Sequence, residues 1–163
     1  MTTIAIDKFG TIAADGLSCI GDIRHRTNFK KIVVREAIGD RPARIFTMAG
    51  TPAMRQALIE WYEGGADPKN VPPGGEQPSW TLIVIEAHRQ VYIASQLPYP
   101  TEFLLPQAFG TGGQHIYGLL VADATARHAV EIACKIDIYS GGEIQVVNIS
   151  EALGIQAVRE AAE

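Results

Sequence analysis

Five separated features of this 163-residue chain could carry chemistry: Thr2, Asp15-Gly16, Lys30-Lys31, Met48-Ala49-Gly50, and the pair GTGG (110–113) with DIYSGG (137–142). A threonine hydroxyl is a poor nucleophile at neutral pH and needs a base beside it. A threonine that comes to stand first in its chain carries one, its own α-amino group, whose ordinary pKa of about 7.7–8.0 lies close to working pH. Met1 is followed by a small residue, which permits its removal, so Thr2 is expected to become residue one. A lysine held beside such a threonine and oriented by an aspartate lowers the proton affinity of the hydroxyl or takes its proton. A backbone N–H at a strand-to-helix junction, as at Gly50, suits a developing oxyanion, because glycine lets backbone and substrate approach closely.

Each feature has an ordinary reading when taken alone. Asp15-Gly16 reads as a turn, and Lys30-Lys31 as one solvated lysine and one incidental one. Asp137 can be a helix-end residue and Ser140-Gly141-Gly142 a plain turn. FGTGG at 109–113 is a candidate phosphate-cradling loop, but it lacks both the P-loop Lys-Ser/Thr and the GxGxxG spacing. Thr3 is expected to point off the other face of its strand.

The elements that must position these residues follow from the hydrophobic pattern. Ile4 to Ile6 and Thr11 to Ala14 read as strands around the turn Asp7-Lys8-Phe9-Gly10, and 16–28 as irregular. Residues 30–36 and 44–49 read as two more strands. Thr51 is a candidate N-cap with Pro52 at the first helical position, and Met54, Ala57, Leu58, Trp61 and Tyr62 mark one face of a helix ended by Gly64-Gly65. A Gly- and Pro-rich loop leads to a hairpin of 80–86 and 90–95; three prolines make 96–108 irregular. Ile116, Leu119 and Leu120 suggest one helix, and Ala126, Ala129, Val130, Ala133 and Cys134 a second. A strand at 143–149 and a weakly helical tail complete the chain. Runs of strands followed by runs of helices predict an α+β fold in one domain spanning 1–163, with no role assigned to 151–163.

Composition narrows the function classes. With 20% charged and 47% apolar residues the chain reads as an ordinary globular domain, and its net charge of −4 gives no reason to expect nucleic acid or an anionic membrane. No apolar run approaches the roughly 20 residues of a membrane span, and the first residues lack a secretory pattern, so a cytoplasmic location is expected. Cys19 and Cys134 form no CxxC, and His25, His88, His115 and His128 show no zinc-ligand spacing. Neither a metal nor a cofactor is expected.

Together the motifs resemble the proteasome β-type and HslV-like group of N-terminal-nucleophile threonine peptidases, over about residues 2–149. Thr2-Thr3-Ile4 resembles the group's mature N-terminus, and the sixteen-residue step from Asp15 to Lys31 matches its aspartate and catalytic lysine. TMAG at 47–50 resembles the segment whose glycine N–H forms the oxyanion hole, with Met48 at a first-pocket position. GTGG resembles the group's GSGG, Thr111 standing where serine is usual, and DIYSGG places Asp137 and Ser140 at the positions that hold the N-terminal amine. The mixture of HslV-like and proteasome-like motifs resembles a minor bacterial proteasome homologue.

The resemblance implies a four-layer αββα sandwich and a self-compartmentalising endopeptidase acting on peptides or unfolded protein. It implies a homo-oligomer of two stacked rings of six or seven subunits, with an ATP-dependent unfoldase as a further partner. Apolar residues exposed on the 53–62 helix are expected among the inter-subunit faces. Ser18, Cys19 and Ile20 on one wall, and Met48, Thr51 and Pro52 on the other, would bind substrate in an apolar first pocket. Two competing readings are a ring scaffold of the same fold without activity, and an amidase acting on a small molecule.

Overall fold

The computed structural model describes residues 2–20, 23–72 and 79–155. Strands β1 (Ile4–Ile6), β2 (Thr11–Ala14), β10 (Gln107–Phe109) and β11 (Gln145–Asn148) form an antiparallel four-stranded sheet in the order β10-β1-β2-β11. A five-stranded antiparallel sheet has the sequential order β5 (Ile32–Arg35), β6 (Arg44–Ala49), β7 (Thr81–Ile85), β8 (Gln90–Ala94), β9 (Leu97–Glu102). The helices are α1 (Arg55–Glu63), α2 (Gly113–Val121), α3 (Ala126–Ile136) and the single turn α4 (Ile149–Ala152).

Side-chain alternation sorts these elements into layers. In β1 and β2, Ile4, Ile6, Ile12 and Ala14 face the other sheet and pack with Ile32, Ile45, Ile83, Ile85 and Phe103. The intervening Ala5 and Ala13 face α2 and α3, where they meet Ile116, Leu120, Ala126, Ala129, Val130 and Ala133. Small residues on both sides of that contact let helix and sheet approach closely. The outer face of the second sheet, with Phe46, Met48, Leu82, Val84, Val91 and Ile93, is covered by Met54, Leu58, Ile59, Trp61 and Tyr62. The order of layers is therefore α2/α3, sheet, sheet, α1, the expected α+β sandwich.

Several local expectations are corrected. Residues 16–28 contain a short hairpin, β3 (Ser18–Ile20) with β4 (Ile23–Arg26). All of β4 is exposed, so it carries no buried alternation to read. Two further strands, β9 and the start of β10, fall in 96–108. Proline is tolerated in β9 because it is the edge strand, where one row of N–H groups has no partner to lose. Thr51 makes no side-chain cap; a 3-10 turn at Pro52–Met54 leads into α1 instead. Ala57 is exposed and Ile59 takes its place in the core. Consequently the outward face of α1 is polar, with Gln56 and Glu60 beside Ala57. Exposed apolar residues elsewhere include Tyr117 and Val121 of α2, and Ile136 and Ile138 at the end of α3. The 150–163 tail begins in α4; its residues 156–163, like Met1, lie outside the described ones. No helix among the described residues is long and apolar enough to cross a membrane.

Candidate active site

Thr2 and Thr3 run into β1, Asp15 follows β2, Lys31 precedes β5 and Gly50 follows β6, so sheet pairing brings the ends of four segments to one place. Asp15 is fully buried and Lys31 is 5% exposed. The Lys31 Nζ donates to Asp15 Oδ1 at 2.6 Å, and the same oxygen accepts the Thr3 N–H at 2.8 Å. Asp15 Oδ2 accepts the N–H groups of Leu17 and Gly141, each at 3.2 Å. Four donors thus satisfy the buried carboxylate. Burial pulls the Lys31 ammonium below its ordinary value, and Asp15 opposes that shift by charge and by hydrogen bond.

A second network runs behind the Thr2 backbone. Asp137 Oδ2 accepts from Ser140 Oγ at 2.6 Å and from Thr111 Oγ1 at 3.0 Å; Oδ1 accepts the Tyr139 N–H at 3.1 Å. Burial alone would raise the Asp137 carboxyl, but the bonds from Ser140, Tyr139 and Thr111, with a smaller pull from His115, hold it below its ordinary value. With their protons committed to Asp137, the two hydroxyls turn their oxygens to other donors. Thr111 Oγ1 accepts the Thr2 N–H at 3.4 Å, and Ser140 Oγ accepts from Thr3 Oγ1 at 2.5 Å. Ser140 is thus linked to the Thr2 nitrogen through Asp137 and Thr111. Thr3, expected to be a bystander, is fully buried and belongs to this network.

Thr111→Val removes one of the three bonds that depress Asp137. A carboxylate held below its ordinary value contributes stability above the usual carboxyl range and loses it as pH falls through the lowered folded value. The variant is expected to be about 1 kcal/mol less stable at pH 7, with its acid unfolding midpoint moved to higher pH in a denaturation series.

Glycine is required at Gly110 and Gly50, which flank Thr2. Gly110 has φ +85°, and a Cβ there would stand 2.0 Å from the Thr2 carbonyl oxygen. Gly50 has φ +123°, and its Cβ would stand 2.5 Å from the Ser79 carbonyl oxygen. Both the backbone conformation and the space exclude a side chain.

Two grooves meet at Thr2 and Gly50. One, a cavity of about 40 Å³, is lined by Leu17, Ser18, Cys19, Phe29, Lys31, Met48, Pro52 and Arg55. The other passes Ala49, Ser79, Trp80, Thr81, Gly110 and Thr111. Of the expected substrate residues, Ser18, Cys19, Met48 and Pro52 line the first groove. Thr51 is exposed and lines neither, and Ile20 ends β3. Phe29 and Arg55 escaped the sequence reading. Phe29 stands two residues before Lys31, a spacing that places both on one side of an extended chain. Arg55 lies at the start of the helix whose apolar face drew attention away from its polar positions.

The layering, with both networks at one end of the sandwich, decides what the chain is comparable to. It has the fold of HslV. Superposed on the crystal structure of eukaryotic HslV from Trypanosoma brucei, it gives a TM-score of 0.68 at 22% identity, covering 90% of this chain and 98% of the other. The BPH of Thiobacillus denitrificans is similar to it as well. In complex with epoxomicin that protein gives a TM-score of 0.65 at 20% identity, covering 92% of this chain and 100% of the other. Without that inhibitor it gives 0.64 at 18% identity, covering 92% and 99%. No protein-family model matches the sequence, and comparison with curated proteins gives no match. At these identities the HslV fold is shared while most side chains are not.

Proposed function

We propose that the protein is a threonine endopeptidase whose nucleophile is Thr2 after removal of Met1. The observation that carries this reading is the buried Lys31–Asp15 pair, which shares one cleft with Thr2 while Thr111 accepts from the Thr2 nitrogen. The Thr2 hydroxyl attacks a peptide carbonyl, and its proton passes to the α-amine, directly or through one water. Thr111 supports that transfer because its own proton is bound to Asp137. Its oxygen takes an amine hydrogen and leaves the nitrogen lone pair free. Once the amine is protonated, the Asp137 carboxylate behind Thr111 stabilises its charge.

Lys31, fixed by Asp15, stabilises the negative charge that grows on the attacking oxygen. The Gly50 N–H serves the carbonyl oxygen as it becomes an oxyanion, a role worth about 2.7–4 kcal/mol per donor in hydrolases. The C–N bond then breaks, and the amine returns its proton to the leaving nitrogen. Water, activated by the same amine, releases the acyl group from Thr2 as a carboxylic acid.

The working form is a closed homo-oligomer of two stacked rings, with six or seven subunits each, enclosing the clefts in the cytoplasm. Tyr117, Val121, Ile136 and Ile138 supply apolar surface for contacts between copies. Substrate lies extended between the cleft walls, delivered as peptide or as chain unfolded by an ATP-dependent partner. Because T. denitrificans BPH is known in complex with epoxomicin, that compound is the probe of choice. Fluorogenic peptides should be hydrolysed, and the hydrolysis should stop when epoxomicin is added. Hydrolysis indifferent to epoxomicin, or none by a correctly processed protein, contradicts the reading.

A further inference from the structure

The cleft beside Thr2 holds a positive charge with no counter-ion among the described residues. Lys31 is neutralised by Asp15, and Lys30, just outside, pairs with Glu143. Arg55 lines the same cleft, and no described carboxylate lies within ion-pair distance of it. Its guanidinium is nevertheless fixed. One Nη donates to the Lys30 carbonyl, and the group lies over the Phe29 ring, 5.0 Å from the centroid. Of five N–H donors one is used in this way, which leaves the planar fork open to a carboxylate. Burial pulls the guanidinium below its ordinary value, a sign of partial desolvation that a bound anion would relieve.

The other walls suit the stem of such a side chain. Leu17, Met48 and Pro52 are apolar. The cavity measures about 40 Å³, against roughly 150 Å³ for an enclosed apolar cavity that takes up benzene. The apolar walls expected from Met48 and Pro52 are thus joined by the charge of Arg55.

We propose that Arg55 is a specificity-determining residue. It receives the side-chain carboxylate of an aspartate or glutamate whose own carbonyl Thr2 attacks, so that cleavage follows acidic residues. This rests on the peptidase reading above.

The test uses peptides identical except at the cleaved residue, which is Glu, Gln, Leu, Tyr or Arg. For the wild-type protein kcat/KM for Glu should exceed that for its uncharged isostere Gln by about tenfold or more. Arg55→Gln should erase the ratio, Arg55→Lys should keep part of it, and Arg55→Glu should shift preference to Arg. The Glu-against-Gln comparison in wild type needs no folded variant. Leu or Tyr cleaved in preference to Glu, or a Glu-to-Gln ratio near one, overturns the proposal.

A binding measurement separates this failure from failure of the peptidase reading. Labelled peptides ending in Glu or Gln are titrated against the Thr2→Ala protein by fluorescence anisotropy. About tenfold tighter binding of the Glu peptide supports the Arg55 assignment even where no hydrolysis is found, and equal binding overturns it.

Discussion

Hydrolysis of fluorogenic peptides is expected to fall by about 10⁴-fold or more in Thr2→Ala. Labelling by a threonine-directed inhibitor should disappear with it. The reason is local. The substitution removes the threonine hydroxyl that shares a cleft with the Lys31 ammonium and the Gly50 backbone, and leaves the two polar networks intact. Neither the Lys31–Asp15 bond nor the chain from Thr3 through Ser140 to Asp137 uses the Thr2 side chain. The variant should therefore fold and assemble as the wild type does, and thermal melts of the two should nearly coincide. Thr2→Ser is the informative companion. It keeps the nucleophile and loses the methyl that approaches Gly110, so it should retain measurable activity. Undiminished labelling of Thr2→Ala would mean that the nucleophile lies elsewhere.

The second large effect is expected at Asp15. Its side chain is fully buried and accepts four bonds, from Lys31, Thr3, Leu17 and Gly141. Asp15→Ala leaves a buried ammonium without a counter-ion and three N–H groups without an acceptor. Breaking a buried pair in this way typically costs about 3–5 kcal/mol. Lys31→Met should cost less stability, because Asp15 keeps three of its donors, yet it should lose as much activity. The double variant should be less destabilised than the sum of the singles, since no uncompensated charge remains. Chemical denaturation of the four proteins measures this coupling. Strict additivity would show that the pair does not act as a unit.

How much of this was legible beforehand depended on whether a residue's partners were near in sequence. Strands β1 and β2 were readable because Ile4, Ile6, Ile12 and Ala14 alternate against a buried sheet, and α3 because its small apolar residues recur at helical spacing. The β3–β4 hairpin and the proline-bearing edge β9 were not, since an exposed or edge strand has no single buried face to impose a pattern. Within the site, Asp15 and Lys31 stood out only because their sixteen-residue step matches the peptidase group the motifs resemble, and the structure joins them at 2.6 Å. Thr3 did not, because its partner Ser140 is 137 residues away. Asp7 was read as a turn residue. It does accept the Phe9 and Thr11 N–H groups, but its second oxygen accepts the Ala126 N–H and so ties the first hairpin to the start of α3. Arg55 illustrates the same limit. A polar residue opening an amphipathic helix looks solvated until the fold brings Phe29 and Lys30 against it.

The central claim is that Thr2, freed of Met1, is the nucleophile. Mass spectrometry of the protein after incubation with a threonine-directed inhibitor tests it most directly, by intact mass and by mapping of the N-terminal peptide. The expected result is a chain lacking Met1 with a single adduct on the peptide that begins at Thr2. A chain that keeps Met1, or an adduct on any other residue, would contradict it.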